Sequence, residues 1–347
     1  MSDPLTGDTA IAPKIRQAGL ADRLGKWAPV LLVPALAIVG LVAIANPATW
    51  ITLTAAGLAM GMMIFIMASG LTLVFGLMDV INFGHGAFIA IGAFVGFTVL
   101  GYLAGWTAEP SIWLNLAALF PAIVVAMLVS GAAGYVFERF IVKPVYGQHL
   151  KQILVTMGGL IIAQQLILVL WGPDAIHLSR PATLQGSVVI GEAAIEKYRL
   201  VAVVIGLALF VGMRLVLNRT KIGLLVRAGV ENGEMVEALG YRIQRLFLAV
   251  FIVGSALAGL GGVMWGLYQE TITAHMGSEI MILVFIVVII GGLGSVEGCF
   301  IGALLVGLLS NYVAFLFPKV ALVSTIALMV AVLMWRPQGL YPVVKAK

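Results

Sequence analysis

Residues 70–86 read GLTLVFGLMDVINFGHG, and this stretch decides the fold class. It closes an apolar run that reaches back to about residue 51 and lacks the strict alternation of a half-buried strand. Because a helix of about 20 apolar residues can cross the hydrocarbon core of a bilayer, residues 51–78 are predicted to form a transmembrane helix. The polar turn Asn82-Phe83-Gly84-His85-Gly86 then separates this helix from the next apolar run.

The rest of the chain has the same character. Of its 347 residues, 62% are hydrophobic and 10% are charged, whereas a soluble domain carries about 25% charged residues. This composition excludes a cytosolic enzyme, a nucleic-acid-binding protein and a disulfide-stapled secreted domain. The single cysteine, Cys299, cannot form an intramolecular disulfide. The sequence therefore predicts an all-α polytopic membrane protein.

About ten transmembrane helices are predicted, at residues 28–46, 51–78, 84–105, 113–137, 152–171, 200–217, 246–268, 281–297, 299–317 and 320–335. The last closely spaced pair, 281–317, is also compatible with a half-span or a re-entrant pair. Sixteen of the 20 lysine and arginine residues fall on the side of the N-terminus; the other four are Arg180, Lys197, Arg199 and Lys319. Because cytoplasmic loops carry the excess of positive charge, both termini are predicted to be cytoplasmic.

This topology predicts a cytoplasmic tail at 1–27, a transmembrane domain at 28–340 and a C-terminal tail at 341–347. Two connections are long: an outer loop at 172–199 and an inner loop at 218–245. Within the outer loop, residues 183–190 suit either a short hairpin or a surface helix.

Catalytic chemistry has no candidate residues in this sequence. The one Gly-Lys pair, Gly25-Lys26, is followed by Trp27 and not by the hydroxyl residue of a phosphate loop. No His, Asp or Glu cluster has the spacing of a metal site or of an acid–base pair. The chain is therefore predicted to be no enzyme and to bind no cofactor or metal, so any ATP that powers it must act on another polypeptide.

Polar residues within or beside the spans are the candidates for a translocation pathway or gate: Ser69, Thr72, Asn82, His85, Gln164, Gln165, Ser295 and Glu297. Asn82 and His85 either form a gate or merely cap two helices. Adjacent side chains point about 100° apart on a helix, so one of Gln164 and Gln165 is expected to bond a neighbouring helix. The similarity of residues 85–89 to residues 297–301 indicates either an internal repeat or chance.

The inner loop is predicted to contain a short amphipathic helix over 221–239 that ends at a glycine. Its candidate contact residues for a partner are Arg227, Glu231, Glu234, Met235, Glu237, Leu239 and Gly240. Such a helix either docks into a groove of a partner protein or lies flat on the membrane interface.

Three segments resemble one family. Residues 70–93, the loop 221–241, and the pair formed by Gly291-Gly292-Leu293-Gly294-Ser295 and Arg336-Pro337-Gln338-Gly339-Leu340 resemble the permease subunits of branched-chain amino-acid ABC importers. The first segment is closer to the H-type than to the M-type subunit. The resemblance extends in order from about residue 51 to residue 340.

The resemblance implies a heteromeric importer in a prokaryotic inner membrane. Its partners would be a second, M-type permease, two ABC ATPases that bind ATP and Mg, and a periplasmic solute-binding protein. The inner loop 218–245 would then be the coupling loop for the ATPase, and the outer loop 172–199 would help to receive the binding protein. The solute would be a branched-chain amino acid or a related small polar molecule such as urea or an amide. The alternative function is a self-contained channel or an ion-coupled secondary transporter.

Overall fold

The structure is a computed structural model that describes residues 20–231 and 233–341, without the side chains of 20–27, 227, 230, 231, 233, 234 and 322. The α-helices of this part are α1 (Leu20–Ile44), α2 (Pro47–Met78), α3 (His85–Tyr102), α4 (Ala104–Ala108), α5 (Ile112–Phe137), α6 (His149–Trp171), α7 (Lys197–Arg219), α8 (Lys221–Glu231), α9 (Gly233–Ala238), α10 (Ile243–Gln269), α11 (Met276–Gly291), α12 (Val296–Leu316) and α13 (Ala321–Trp335). The strands are β1 (Ile176–His177), β2 (Ser187–Ile190), β3 (Ala193–Glu196) and β4 (Thr271–Ile272).

The helix bundle confirms the predicted all-α polytopic class. Seven helices in the described part are long and apolar enough to cross a membrane. Three shorter apolar helices, at 28–44, 276–291 and 323–335, bring the number of apolar helices to the predicted ten. The helix that was expected to begin at residue 28 already begins at Leu20.

The boundary between the two closely spaced spans was predicted wrongly. Residues 292–295 separate α11 from α12, because Gly292 and Gly294 adopt φ values of 97° and 84°, which favour glycine. Ser295 then caps α12 by accepting a hydrogen bond of 3.1 Å from the Gly298 N–H. With 16 residues, α11 is about 24 Å long, which is somewhat shorter than the hydrocarbon core of about 30 Å.

The C-terminal motif closes the end of α11. The backbone N–H groups of Leu340 and Tyr341 donate to the carbonyls of Ile290 and Gly291, at 2.9 and 3.0 Å. The last carbonyls of a helix have no partner within it, so the segment that follows α13 satisfies them. The motifs at residues 291–295 and 336–340, which together resemble the family, are therefore in direct contact.

Helices α2, α3, α5 and α6 pack in the same pattern as α10, α11, α12 and α13, as expected for an internal repeat: α2 packs against α12 as α10 packs against α5, and α3 contacts α5 and α6 as α11 contacts α12 and α13. In both halves the first helix ends at an acidic residue in the left-handed region, Asp79 at φ 51° and Glu270 at φ 56°. Six-residue connections, 79–84 and 270–275, then lead into α3 and α11. Since α10 is the fifth span after α2, the two halves run in opposite directions, as in inverted-repeat transporters.

The repeat does not follow the similarity seen in the sequence. Residue 85 begins α3 and residue 297 lies in the first turn of α12, whereas the counterpart of α3 in the second half is α11. Of the two alternatives for the similarity between residues 85–89 and 297–301, the structure favours chance, because glycine-rich turns recur at helix ends whether or not those ends are equivalent.

The two long loops are ordered in different ways. Of the alternatives for the outer loop, the structure has a hairpin of β2 and β3, preceded by a 3₁₀ turn at Ala182–Leu184. The inner loop forms two helices, α8 and α9, and not the single predicted helix over 221–239. Gly240, at φ 87°, ends α9, and the Tyr241 N–H bonds the Val236 carbonyl at 3.2 Å, as in a Schellman motif.

Candidate functional site

The connection 79–84 lies against α5 and α6 and contains a buried asparagine. Asn82 is 1% exposed, and neither its Oδ1 nor its Nδ2 has a hydrogen-bond partner. The neighbouring Phe83 N–H donates to Thr156 Oγ1 of α6 at 3.2 Å. An unpartnered buried amide costs about 1–3 kcal/mol, so Asn82 is a group whose hydrogen-bonding capacity is unused in this conformation.

His85 has a different environment from Asn82. It is buried, and its Nε2 lies 2.9 Å from the carbonyl oxygen of Met67. Because a carbonyl only accepts, the His85 ring donates this bond, and it ties the first turn of α3 to α2. His85 thus satisfies a backbone group, while Asn82, three residues earlier, does not.

The predicted pathway residues with hydroxyl groups all form hydrogen bonds with the backbone of their own helix. Ser69 and Thr72 are buried in α2 and donate to the carbonyls of Ile66 and Ala68, each at 2.8 Å. Ser295 is the N-terminal cap of α12. The structure does not bring these three hydroxyl groups together with Asn82 through any hydrogen bond among the described residues.

The two adjacent glutamines on α6 have opposite environments. Gln164 is buried and its Nε2 donates to Ser278 Oγ of α11 at 3.1 Å, which confirms that one of the pair bonds a neighbouring helix. Gln165 is exposed in the same span. On the same face of α6, a Cβ added at Gly158 would meet nothing within 4 Å. This face is therefore open and carries one amide at membrane depth.

Charged groups at the end of the bundle where α7 ends and α12 begins were only partly found from the sequence. Glu297 is exposed and forms an ion pair with Arg214 of α7 at 3.2 Å.

Glu138 was not identified from the sequence. Its side chain is 3% exposed and accepts a hydrogen bond from the Tyr146 hydroxyl. Burial and the adjacent Glu138 raise the pKa of Tyr146 above its usual range, so Tyr146 remains a donor. Glu138 was not predicted as a buried residue because the apolar run in the sequence ends at residue 137. In the structure a π-helical turn at Glu138–Val142 extends α5 beyond that run.

The predicted partner surface on the inner loop is only partly described. The side chains of Arg227, Glu231 and Glu234 lie outside the described residues. Met235 and Leu239 are 61% and 72% exposed, while Val236 between them is buried. A cleft of about 430 Å³ beside them is lined by Glu237, Gly240, Tyr241, Arg242, Gln244 and Arg245. The end of α9 therefore has two exposed apolar side chains, and its neighbouring residues Glu237 and Gly240 line a cleft.

We predict that Asn82→Leu raises the thermal midpoint of the purified protein, because leucine has a similar volume and removes the unpartnered amide. Asn115→Leu is the matched control, because the buried Asn115 amide donates to Trp106 and Glu109 carbonyls at 2.7 and 2.9 Å. That control should lower the midpoint. A midpoint that falls equally in both variants would contradict the prediction.

Ten apolar helices in the described part of the chain, arranged as an inverted repeat with polar side chains at its interruptions, are typical of a multi-pass membrane transport protein. Residues 53–333 match the family described as "Branched-chain amino acid transport system / permease component". The chain belongs to this family of permease components.

Relatives of named function match most of the chain. The high-affinity branched-chain amino acid transport system permease protein BraD of Pseudomonas aeruginosa is 29% identical over 290 residues, covering 82% of this chain and 93% of BraD. LivH of Escherichia coli is 28% identical over 293 residues, covering 82% and 92%. LivM of Escherichia coli is 27% identical over 313 residues, covering 82% and 69%. No solved structure matches the chain.

Proposed function

We propose that this chain is one of two permease subunits of an ATP-driven importer for branched-chain amino acids in a prokaryotic inner membrane. Separate ATPase subunits would bind ATP and Mg at the inner face, and a binding protein would deliver the solute at the outer face. The names of the relatives BraD and LivH support the solute class, and similarity to both LivH and LivM supports a permease pair. The lack of a phosphate loop in the sequence supports an external ATPase.

The observation that carries the proposal is the exposed apolar pair at the end of α9. Met235 and Leu239 are four residues apart and largely exposed, on a short helix that is capped at Gly240 and anchored by the buried Val236. Short helices that expose an apolar face fit hydrophobic grooves of partner proteins. A rigid helix in such a groove can transmit a movement of the ATPase to α8 and α10, which flank α9 in the chain.

The open face of α6 is our candidate for the side that meets the second permease and lines the pathway. An amide exposed to hydrocarbon is unfavourable, so Gln165 is better placed against protein or water than against lipid. The space at Gly158 allows a neighbouring helix to approach closely. Asn82 and His85 would lie at the inner end of this pathway.

The experiment that tests the proposal is purification with the whole transport system. Two ATPase chains and a second permease are expected to co-purify with this chain. The reconstituted complex should take up L-leucine only when ATP is supplied on the side of the ATPase subunits, and vanadate should inhibit this uptake. Uptake by this chain alone in liposomes would contradict the proposal and would favour a channel or an ion-coupled transporter.

A further inference from the structure

The connection 79–84 runs beside the first two turns of α6. At its start, the Asp79 Oδ2 lies 3.9 Å from His149 Nε2 in the first turn of α6. Near its end, the Phe83 N–H donates to Thr156 Oγ1 at 3.2 Å. His149 and Thr156 are seven residues apart in the sequence, which is about 10 Å along a helix. These two contacts therefore place the middle of the connection against the α6 residues that lie between them.

Gln152, in this stretch of α6, has an unused hydrogen-bond acceptor. Its side chain is buried, and its Nε2 donates to the Val145 carbonyl at 3.2 Å, whereas its Oε1 has no partner. Residues three, four and seven apart share one face of a helix, so Gln152 lies on the same face as His149 and Thr156. This is the face of α6 that the connection contacts.

Asn82 has the complementary unused group. It precedes Phe83 in the connection, it is buried, and its Nδ2 and Oδ1 both lack a partner. A side-chain amide nitrogen donates hydrogen bonds and an amide oxygen accepts them. Because nearly all buried polar groups have partners, each exception needs an explanation. Here an unused donor and an unused acceptor lie on two segments that face each other.

The connection has the local features of a segment that changes conformation. Asp79 begins it at φ 51°, a left-handed backbone that is uncommon outside glycine. The His85 N–H donates to the Asn82 carbonyl over 3.4 Å, which is longer than the usual N–H···O distance. A Cβ added at Gly84 would clash with the Phe137 ring, so glycine permits the close approach to α5. Uncommon backbone conformations of this kind cluster at switch regions.

We propose that Asn82 Nδ2 donates a hydrogen bond to Gln152 Oε1 in a second conformation of the transport cycle, in which the connection 79–84 has shifted along α6. The inference rests on the proposed function. Both amides gain a partner in the second conformation, and this lowers its free energy relative to the conformation described above. Gln152 is a positioning residue in this scheme, because it acts on the connection and not on the solute.

Paired cysteines test whether the two residues approach each other. Cys299 is the only cysteine of the chain, so Asn82→Cys with Gln152→Cys in a Cys299→Ala background gives one intrachain cross-link that mass spectrometry identifies. The complete importer in nanodiscs is treated with a short bifunctional thiol reagent, without nucleotide and after trapping with ATP and vanadate. We expect the cross-linking rates in the two states to differ at least about fivefold, as for typical coupling between a ligand and a conformational equilibrium.

The matched control is Asn82→Cys with Gln164→Cys. Gln164 is also buried on α6, but it lies 12 residues after Gln152, which is about 18 Å along the helix. This control pair should not cross-link. Absence of a cross-link between positions 82 and 152 in both states would overturn the proposal. Equal rates in the two states would also overturn it, because they indicate a fixed distance.

A double-mutant cycle measures whether the two amides act as a pair. Asn82→Leu and Gln152→Met should each lower ATP-driven L-leucine uptake several-fold. The double variant should be no slower than the slower single variant, because either change alone removes the bond. In the control cycle of Asn82→Leu with Gln164→Met the two reductions should multiply, since Gln164 bonds Ser278. Reductions that also multiply for Asn82 and Gln152, or normal uptake by both single variants, would contradict the pairing.

Failure of this inference is distinguishable from failure of the proposed function. If the unmodified complex shows no ATP-driven uptake of L-leucine, the proposed function is wrong. If the unmodified complex takes up L-leucine but positions 82 and 152 show neither a state-dependent cross-link nor coupling in the cycle, only the pairing of Asn82 with Gln152 is wrong.

Discussion

Gly92→Ala is expected to destabilise the helix bundle strongly, although it adds only one methyl group. Gly92 of α3 lies against Gly259 of α10, and an added Cβ would lie less than 3.0 Å from three backbone atoms of Gly259. A backbone obstacle cannot rotate away as a side chain can, so α3 and α10 would have to separate. Overpacking costs about 1–3 kcal/mol and sometimes more, and we expect the upper end of this range here.

Gly212→Ala is the matched control for this prediction. A Cβ at Gly212 of α7 would meet nothing within 4 Å, and alanine is favoured over glycine within helices by about 1 kcal/mol. The control should therefore be neutral or stabilising. The yield of monodisperse protein in detergent and its thermal midpoint are the measurements. Equal behaviour of the two variants would contradict the close approach of α3 and α10.

The sequence was sufficient for the number of long or apolar helices in the described part of the chain, because the length of an apolar run is a property of the chain alone. It also located the interruption at 79–86 and the glycine that ends α9. The helix ends were less accurate. The break before α12 depends on Gly292 and Gly294, which both have positive φ values. Because glycine is also common inside these helices, its presence in the sequence does not distinguish a glycine that ends a helix from one that lies within it.

Residues that act through distant partners could not be found from the sequence. Arg180 was counted as one of four outer cations, but its contacts with Glu196 and Glu270 join positions far apart in the chain. The inverted repeat was similarly hidden, because it preserves helix packing and not residue identity. For Asn82 the sequence left both a gate and a helix cap open, and the structure adds that its side-chain amide has no hydrogen-bond partner.

The double substitution Glu237→Arg with Leu239→Asp is expected to abolish coupling between ATP hydrolysis and uptake. Leu239 is 72% exposed and Glu237 is exposed, whereas Val236, which anchors α9, is unchanged. The helix and its cap at Gly240 should therefore persist, while the apolar contact is replaced by a charge and the local charge pattern is reversed. Truncation of a central apolar contact typically costs 2 kcal/mol or more, so uptake should fall at least about tenfold.

Measurement of ATP hydrolysis and L-leucine uptake in the same proteoliposomes separates uncoupling from loss of assembly. If α9 transmits the movement of the ATPase, the variant complex continues to hydrolyse ATP without uptake, or releases its ATPase subunits altogether. The conservative pair Glu237→Gln with Leu239→Met keeps the size and apolar character of the end of α9 and should retain most uptake. Full uptake by the charged variant would instead place α9 on the membrane interface, because a helix at the lipid surface contributes no contact to the ATPase.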